Sequence, residues 1–407
     1  MLVSFTGTWM QSTAQSWLIY RLTGSPWLLG LVAFAGQVPI FLLAPVGGVL
    51  ADRHSRHRLI VLTQVLSMAQ AIVLAALTLS DRVTVGAVIT LAFSLGVINA
   101  VDLPARQSFM VELVSKEDLM NAIALNSSMI TGARIIGPAL AGLIVAWVGE
   151  GPCFLFNALS YLAIIAGLLA MRVAGREVGK PAGSALSDLK EGFHYTRRTR
   201  PVRAVLLLVA FVSIFGLSYL VLMPIFAEEI LRGGARSLGT LLSAAGLGAL
   251  GGALTLAARR EASGLGRVVA VSVASLGLLL TLFSFSRSLY LSAALLVPIG
   301  FTLMLQVSAS NTLLQTMVPD RLRGRVMSFY SMSLMGMAPF GSLLAGGVAA
   351  RIGGPLTLRV GGLLCILGAS VFGLHLGDLR QDAAPILTAQ IPAPGEPTEI
   401  DTIKTAQ

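Results

Sequence analysis

Apolar residues in this chain gather into runs of roughly 20 or more, broken by short clusters of arginine, aspartate, glycine and proline. Neither the alternation of a half-buried strand nor the one-sided stripe of a soluble helix dominates. Runs of this length match the hydrocarbon core of a bilayer when wound as α-helix. They predict spans at about 1–21, 26–51, 59–80, 84–110, 119–148, 152–171, 202–229, 236–258, 267–286, 289–318, 323–352 and 355–378. The expectation is an all-α membrane protein of twelve spans. The longest exceed the bilayer thickness and must tilt or run on into water. The first is the most polar. Its stretch from Gly7 to Tyr20 is rich in Thr, Gln, Ser and Trp, which suits a cavity or a helix contact better than lipid.

Composition sharpens this picture. Hydrophobic residues make up 55% of the chain, charged residues 12%, and the mean hydropathy is +0.82. A soluble domain carries about 25% charge, so this chain cannot cover a water-facing surface; the bilayer is its first partner. Cys153 and Cys365 lie in distant apolar runs, which argues against a disulfide framework. The four histidines are scattered, and no metal set or nucleophile–base pair is evident. No metal, cofactor or enzymatic activity is expected.

The net charge is +10, and its distribution speaks against nucleic acid. With a cytoplasmic N-terminus and alternating loops, cytoplasmic segments hold 20 of the 29 Lys and Arg. Outer loops hold seven: Arg21, Arg82, Arg232, Arg236, Arg287, Arg351 and Arg359. The bias follows the positive-inside rule. It predicts both termini in the cytoplasm and gives the basic charge a topological meaning.

Three segments fall outside the spans or at their margin. Met1 is followed at once by apolar and polar residues without the charged start of a signal peptide; with no basic leader, the given start is expected to lie inside the first span or the chain to be truncated. Residues 172–203 open with Gly175, Gly179, Pro181 and Gly183, then place Leu186, Leu189 and Phe193 on one helix face. They predict a cytoplasmic linker with an amphipathic surface helix. Gly175-x-x-x-Gly179-Lys180-Pro181 is too short for a phosphate loop and lacks its hydroxyl residue and preceding strand, so ATP-driven transport finds no support. The tail, 379–407, is rich in proline and acids and is expected to be disordered and cytoplasmic.

An internal repeat sets the architecture. Residues 107–142 overlie 311–346 at a constant offset of 204, with seven identities in 36 positions. These include Gly132/Gly336, Gly137/Gly341 and Gly142/Gly346. The same shift sets Gly47-Gly48 on Gly251-Gly252. Glycine at such spacing lets helix backbones approach closely. Two parallel six-helix halves follow, 1–171 and 204–378, with a substrate site expected between them near the midplane.

The connector between the second and third spans reads Gly47-Gly48-Val49-Leu50-Ala51-Asp52-Arg53-His54-Ser55-Arg56-His57-Arg58. Its spacing resembles the signature loop of the major facilitator superfamily, which expects Gly at Ser55 and a basic residue at His57. Further stretches resemble the group containing the enterobactin exporter and the transmembrane secretion effectors: Asp102-Leu-Pro-Ala-Arg106-Gln107, Ala133-Arg134-Ile-Ile-Gly137-Pro138, Asn157-Ala-x-Ser160-Tyr161 and Arg323-Gly324-Arg325. The resemblance implies a major facilitator fold in a bacterial cytoplasmic membrane and a monomer that exports a small molecule. It also implies that Gly48, Asp52, Arg53, Arg56 and Arg58 form a gating latch. A plain cytoplasmic turn that sets topology is the alternative. Gly132, Gly137, Pro138 and Gly142 resemble the antiporter motif of drug exporters; a proline-kinked, glycine-packed helix is the simpler account.

Asp102 and Arg106 share a helix face. Asp102 lies about 16 Å from the cytoplasmic edge, and Arg134 about 22 Å into the fifth span. Charges so deep imply partners or a wet cavity. At the repeat offset they meet Gln306, Ser310 and Ala338, so the scaffold does not need them. They form either a structural ion-pair network or a proton site in which the arginines tune Asp102. Trp9, Gln11, Gln15, Trp17, Asn99, Asn126, Asn157, Tyr161, Gln306 and Asn311 are cavity candidates that would equally serve as contacts between helices. The sequence thus points to a proton-coupled exporter of a small amphiphile, siderophore- or drug-like. A lipid or lysolipid flippase and a non-transporting membrane sensor are the alternatives.

Overall fold

The computed structural model describes residues 1–115, 118–171, 185–259, 264–379 and 381–382. Helices make up nearly all of it, and no strand occurs among the described residues. The first bundle comprises α1 (Leu2–Thr23), α2 (Pro26–Arg53), α3 (Arg56–Leu79), α4 (Val85–Leu113), α5 (Leu119–Val148) and α6 (Gly151–Ala170). A short α7 (Ala185–Arg198) follows. The second bundle comprises α8 (Arg200–Phe215), α9 (Tyr219–Ile225), α10 (Gly234–Ala257), α11 (Leu265–Phe283), α12 (Leu289–Met317), α13 (Asp320–Ser331), α14 (Ala338–Ile352) and α15 (Gly354–Leu374).

Local chemistry explains the boundaries. Ser25 caps α2 by accepting from the Leu28 amide at 3.4 Å, with Pro26 at the first helical position. Thr84 caps α4 in the same way, at 3.3 Å from the Ala87 amide. Gly149 and Gly353, related by the repeat offset, end α5 and α14 with φ of +84° and +81°.

Among the described residues, eleven segments are long and apolar enough to cross a membrane. The twelfth span is α1, whose 22 residues suffice in length but are more polar. Two predicted spans are interrupted. The one expected at 202–229 breaks between α8 and α9 at Gly216–Ser218 and ends in a π turn, Phe226–Ile230. Glycine and serine together are a recognised cause of kinks. The one expected at 323–352 carries a π turn, Met332–Gly336, between α13 and α14. Pro339 has no amide proton and would crowd the carbonyl four residues back, at Met335 inside that turn.

Within the first bundle, α1 packs on α5 and α6, α2 on α4, and α3 on α4 and α6. In the second, α10 and α11 flank α12, and α15 lies on α11 and α8. Two seams join the bundles, α5 on α10 and α2 on α14. Glycines make both. A Cβ on Gly142 would lie 2.9 Å from the Ala235 carbonyl and from Gly239 Cα. A Cβ on Gly346 would lie 2.6 Å from the Pro26 carbonyl and 2.9 Å from Gly30 Cα. The repeat mates therefore do the same work. Each seats the second membrane helix of the opposite bundle, while Gly137 and Gly341 seat α1 and α8 of their own.

The seams cover one end of the molecule. On α5 they run from Gly142 to Arg134, whose carbonyl lies 3.1 Å from a Cβ on Gly246. Ser243 Oγ donates to the Ile135 carbonyl at 2.8 Å on the way. On α2 they run from Pro26 to Phe41, where Phe34 and Phe41 bracket Phe340 at ring separations of 5.7 and 6.0 Å. Beyond these levels the surfaces part. Gly48 has nothing within 4 Å, and Leu42, Val46 and Val49 are exposed. Among the described residues, the bundles thus meet at the end away from the basic turn and part at the basic end.

The amphipathic α7 docks on α13. The Glu191 carboxylate accepts from Arg321 at 2.6 Å and also from Arg325, and Phe193 meets Phe329 at 6.4 Å. The side chains of Leu186 and Leu189, residues 172–184 and most of the tail lie outside the described residues.

Replacing Gly142 with valine should force α5 and α10 apart, because backbone atoms fill the space. Spin labels at Gly24 and Arg232, on the closed end of opposite bundles, should report a longer distance in the variant. An unchanged distance distribution would show that the seam does not hold that end shut.

Candidate functional site

A buried charge cluster forms where α3 crosses α4. Asp102 is 5% exposed. Its Oδ1 accepts from Thr63 Oγ1 at 2.6 Å and Gln64 Nε2 at 2.9 Å. Its Oδ2 accepts from Arg106 Nη2 at 2.8 Å and Nε at 3.2 Å. The ion pair spans one helical turn, as the spacing predicts. Arg106 also lies 5.8 Å from the Phe5 ring centroid on α1. The carboxylate thus has four donors, and the arginine spreads its charge over an aromatic face.

Thr63 and Gln64 belong to a buried polar stripe along α3 that continues through Ser67, Gln70 and Thr78. Its helical spacing is readable in the sequence, yet the apolar background of the span masks it. From Gln70 a second network runs through the first bundle. Gln11 donates to Gln70 at 3.1 Å, and Asn157 donates to Gln11 at 2.8 Å. Ser160 donates to the Asn157 carbonyl at 2.7 Å. Gly7 lies against Asn157 and Ser160, where a Cβ would not fit. Gln11 and Asn157 are therefore buried contacts among α1, α3 and α6. Tyr161 is buried as well, against Ala71 and Ala158.

Arg134 stands apart from Asp102. Its guanidinium lies 5.6 Å from the Trp9 ring centroid, and no hydrogen bond or ion pair joins it to Asp102. The sequence expectation of one three-membered network gives way to two sites. The reason is register: Arg106 reaches Asp102 within one helix, whereas Arg134 on α5 packs beside α1. Gln15, Asn99 and Asn126 are half-buried. Gln306, the repeat mate of Asp102, is fully buried and donates to Ser310, the mate of Arg106, at 3.2 Å, a neutral bond that runs in the opposite direction. Asn311 accepts from Gln315.

Gly137 and Gly142 serve two different faces of α5, α1 and α10 respectively, with Pro138 between them. Gly132 is open apart from Leu2 at 3.9 Å. In the basic turn, Arg53 and Arg58 are exposed and Arg56 Nε donates to the Ala51 carbonyl at 3.4 Å. His57 Nε2 shares a hydrogen bond with the Leu168 carbonyl at 2.7 Å, so the ring nitrogen is the donor. These contacts tie the turn to its own bundle. The side chain of Asp52 lies outside the described residues.

The closed end has its own polar contact, absent from the sequence reading. Tyr20 on α1 donates to the carboxylate of Glu229, which the π turn after α9 presents. A cavity of about 260 Å³ lies there, lined by Trp17, Tyr20, Arg21, Gly24, Glu228 and Glu229. Trp17 is therefore at the closed end and not in the cleft. Arg21 pairs with Glu150 at 2.7 Å within the first bundle.

Replacing Gln11 with leucine should strand the amides of Gln70 and Asn157 in an apolar contact. Each orphaned buried group costs about 1–3 kcal/mol. A clear fall in the melting temperature of the purified protein is expected, without loss of the Asp102 network. A melting temperature equal to the parent's would refute the structural role of this chain of amides.

Comparisons with known proteins agree with this geometry. The sequence profile of the transmembrane secretion effector family matches residues 1–401. The staphyloferrin A transporter of Staphylococcus aureus is 26% identical over 369 residues, covering 90% of this chain and 92% of its own. The multidrug efflux pump Tap of Mycolicibacterium fortuitum is 26% identical, with 86% and 88% covered. The enterobactin exporter EntS of Citrobacter koseri is 25% identical, with 90% and 88% covered. Among solved structures, a bacterial homologue of the lysosomal transporter Spinster, inward-facing and unoccupied, superposes with a TM-score of 0.69. It is 14% identical, with 94% and 96% covered. With helices, bundles and sequence in accord, this chain belongs to the transmembrane secretion effector family and is a multi-pass membrane transporter of the major facilitator type.

Proposed function

We propose that this protein is a secondary active exporter of a small amphiphilic molecule, siderophore- or drug-like, driven by proton antiport through alternating access. The observation that carries the reading is Asp102, a buried carboxylate at membrane depth with four donors around it. A proton needs only one carboxylate whose affinity can change. The relatives named for siderophore transport and drug efflux support the substrate class. Their shared name-level chemistry is a small organic molecule moved across a membrane.

The basic end, with its three-arginine turn and α7, is taken as cytoplasmic by the positive-inside rule. The closed seams then face outward and the open cleft faces inward, a loading state for an exporter. The turn from Gly48 to Arg58 acts as a latch only when the cleft closes, which accords with Arg53 and Arg58 being exposed in this state. The chain is read as a monomer in a bacterial cytoplasmic membrane, needing no cofactor beyond the proton gradient.

Two measurements bear on this reading. Cysteines placed singly at Ser184 and Gly234 should label differently with an impermeant thiol reagent added from outside, Gly234 being the reactive one. Equal labelling would overturn the topology. In proteoliposomes, Asp102→Asn should retain substrate exchange and lose accumulation driven by a pH gradient. A variant that responds to the gradient as the parent does would make the Asp102–Arg106 pair structural.

A further inference from the structure

We propose that Arg134, with Trp9, is the anion-recognition point of the substrate path and selects amphiphiles bearing a carboxylate or similar small anion beside an aromatic body. The inference rests on reading the cleft between the bundles as that path. Arg134 has no hydrogen-bond or ion-pair partner among the described residues. A guanidinium cannot shed its charge and offers five donors. At membrane depth it needs an anion or water. Arg106 differs, because Asp102 neutralises it at 2.8 Å. The unbalanced positive charge of this region therefore belongs to Arg134.

Its position suits a ligand. Arg134 stands at the level where the α5–α10 seam ends, with its carbonyl against Gly246. It is half-buried, as is Trp9. Trp9 supplies a flat apolar surface 5.6 Å away, which suits an aromatic body. The α5–α10 seam that carries Arg134 joins the two bundles, so an anion held by the guanidinium would sit at the head of the cleft. The repeat places Ala338 at the equivalent of Arg134, so packing does not demand the arginine. A cationic ligand would be repelled from the same spot.

The test uses the full chain in nanodiscs of phosphatidylcholine and three probes of one shape: 2-naphthoate, 2-naphthamide and 2-naphthylmethylammonium. Calorimetry should show naphthoate binding about tenfold or more tighter than the amide, as expected for hydrogen bonds to a charged group, and the ammonium weakest. Arg134→Gln should bring naphthoate down to the affinity of the amide while leaving the amide unchanged. Arg134→Lys should keep part of the preference. Equal affinities for naphthoate and amide in the parent would overturn the proposal without any variant, and so would a preference that survives Arg134→Gln. Should the Gln variant fail to fold, the parent comparison and the Lys variant decide. Phosphatidylglycerol added to the nanodiscs separates the sources of the anion. Displacement of naphthoate assigns the site to a lipid headgroup, and its persistence assigns it to a soluble anion. Asp102→Asn keeps this inference distinct from proton coupling. It should preserve the naphthoate preference even if gradient-driven transport is lost, and loss of the preference there would place the anion at the α3–α4 cluster instead.

Discussion

Backbone-to-backbone contact at glycine carries the arrangement of the two bundles. Within a bilayer, apolar side chains gain little by leaving lipid for another helix, so association depends on close packing and polar contacts. Gly142 with Gly239, and Gly30 with Gly346, bring helices from opposite bundles to distances that any side chain would block. Ser243 adds a hydrogen bond to a backbone carbonyl of α5 along the same line. Both seams stop partway along their helices. The cleft at the basic end is the direct consequence, and so is the position of Arg134 at its head.

The repeat gives this closure its symmetry. Gly137 and Gly142 recur as Gly341 and Gly346, and each pair divides its work identically between its own bundle and the other. Gly96 and Gly300, also 204 apart, let α4 close on α2 and α12 close on α10. An arrangement in which each bundle grips the other through the same element can release both grips together.

Much of this was legible in the sequence, for reasons particular to each feature. Twelve spans were visible because hydrocarbon thickness fixes their length. The glycine repeat was visible because its function depends on the lack of a side chain, which is a matter of residue identity. The Asp102–Arg106 pair followed from a spacing of four on one helix. Contacts between helices were not legible. Nothing in the order of residues says that Arg134 rests on Trp9 and stays clear of Asp102, that Gln11 and Asn157 bind each other, or that Trp17 lies at the closed end. Those depend on the rotation of each helix about its axis. The interruptions at Gly216 and Met332–Gly336 were hidden too, since a kinked span is as apolar as a straight one.

The charge asymmetry between bundles follows from the same comparison. Gln306 donates to Ser310 where Asp102 accepts from Arg106, so the same two positions are joined in both bundles, in opposite directions, once neutral and once ionised. A structural requirement at that level would be met by the neutral version, which leaves no charge to be desolvated. The ionised version therefore calls for a reason beyond packing. Arg134 strengthens the case, because its mate is Ala338 and it lacks the acid that Arg106 has. Charge that is costly in place and unmatched in the twin scaffold is the observation on which the proposed roles of Asp102 and Arg134 rest.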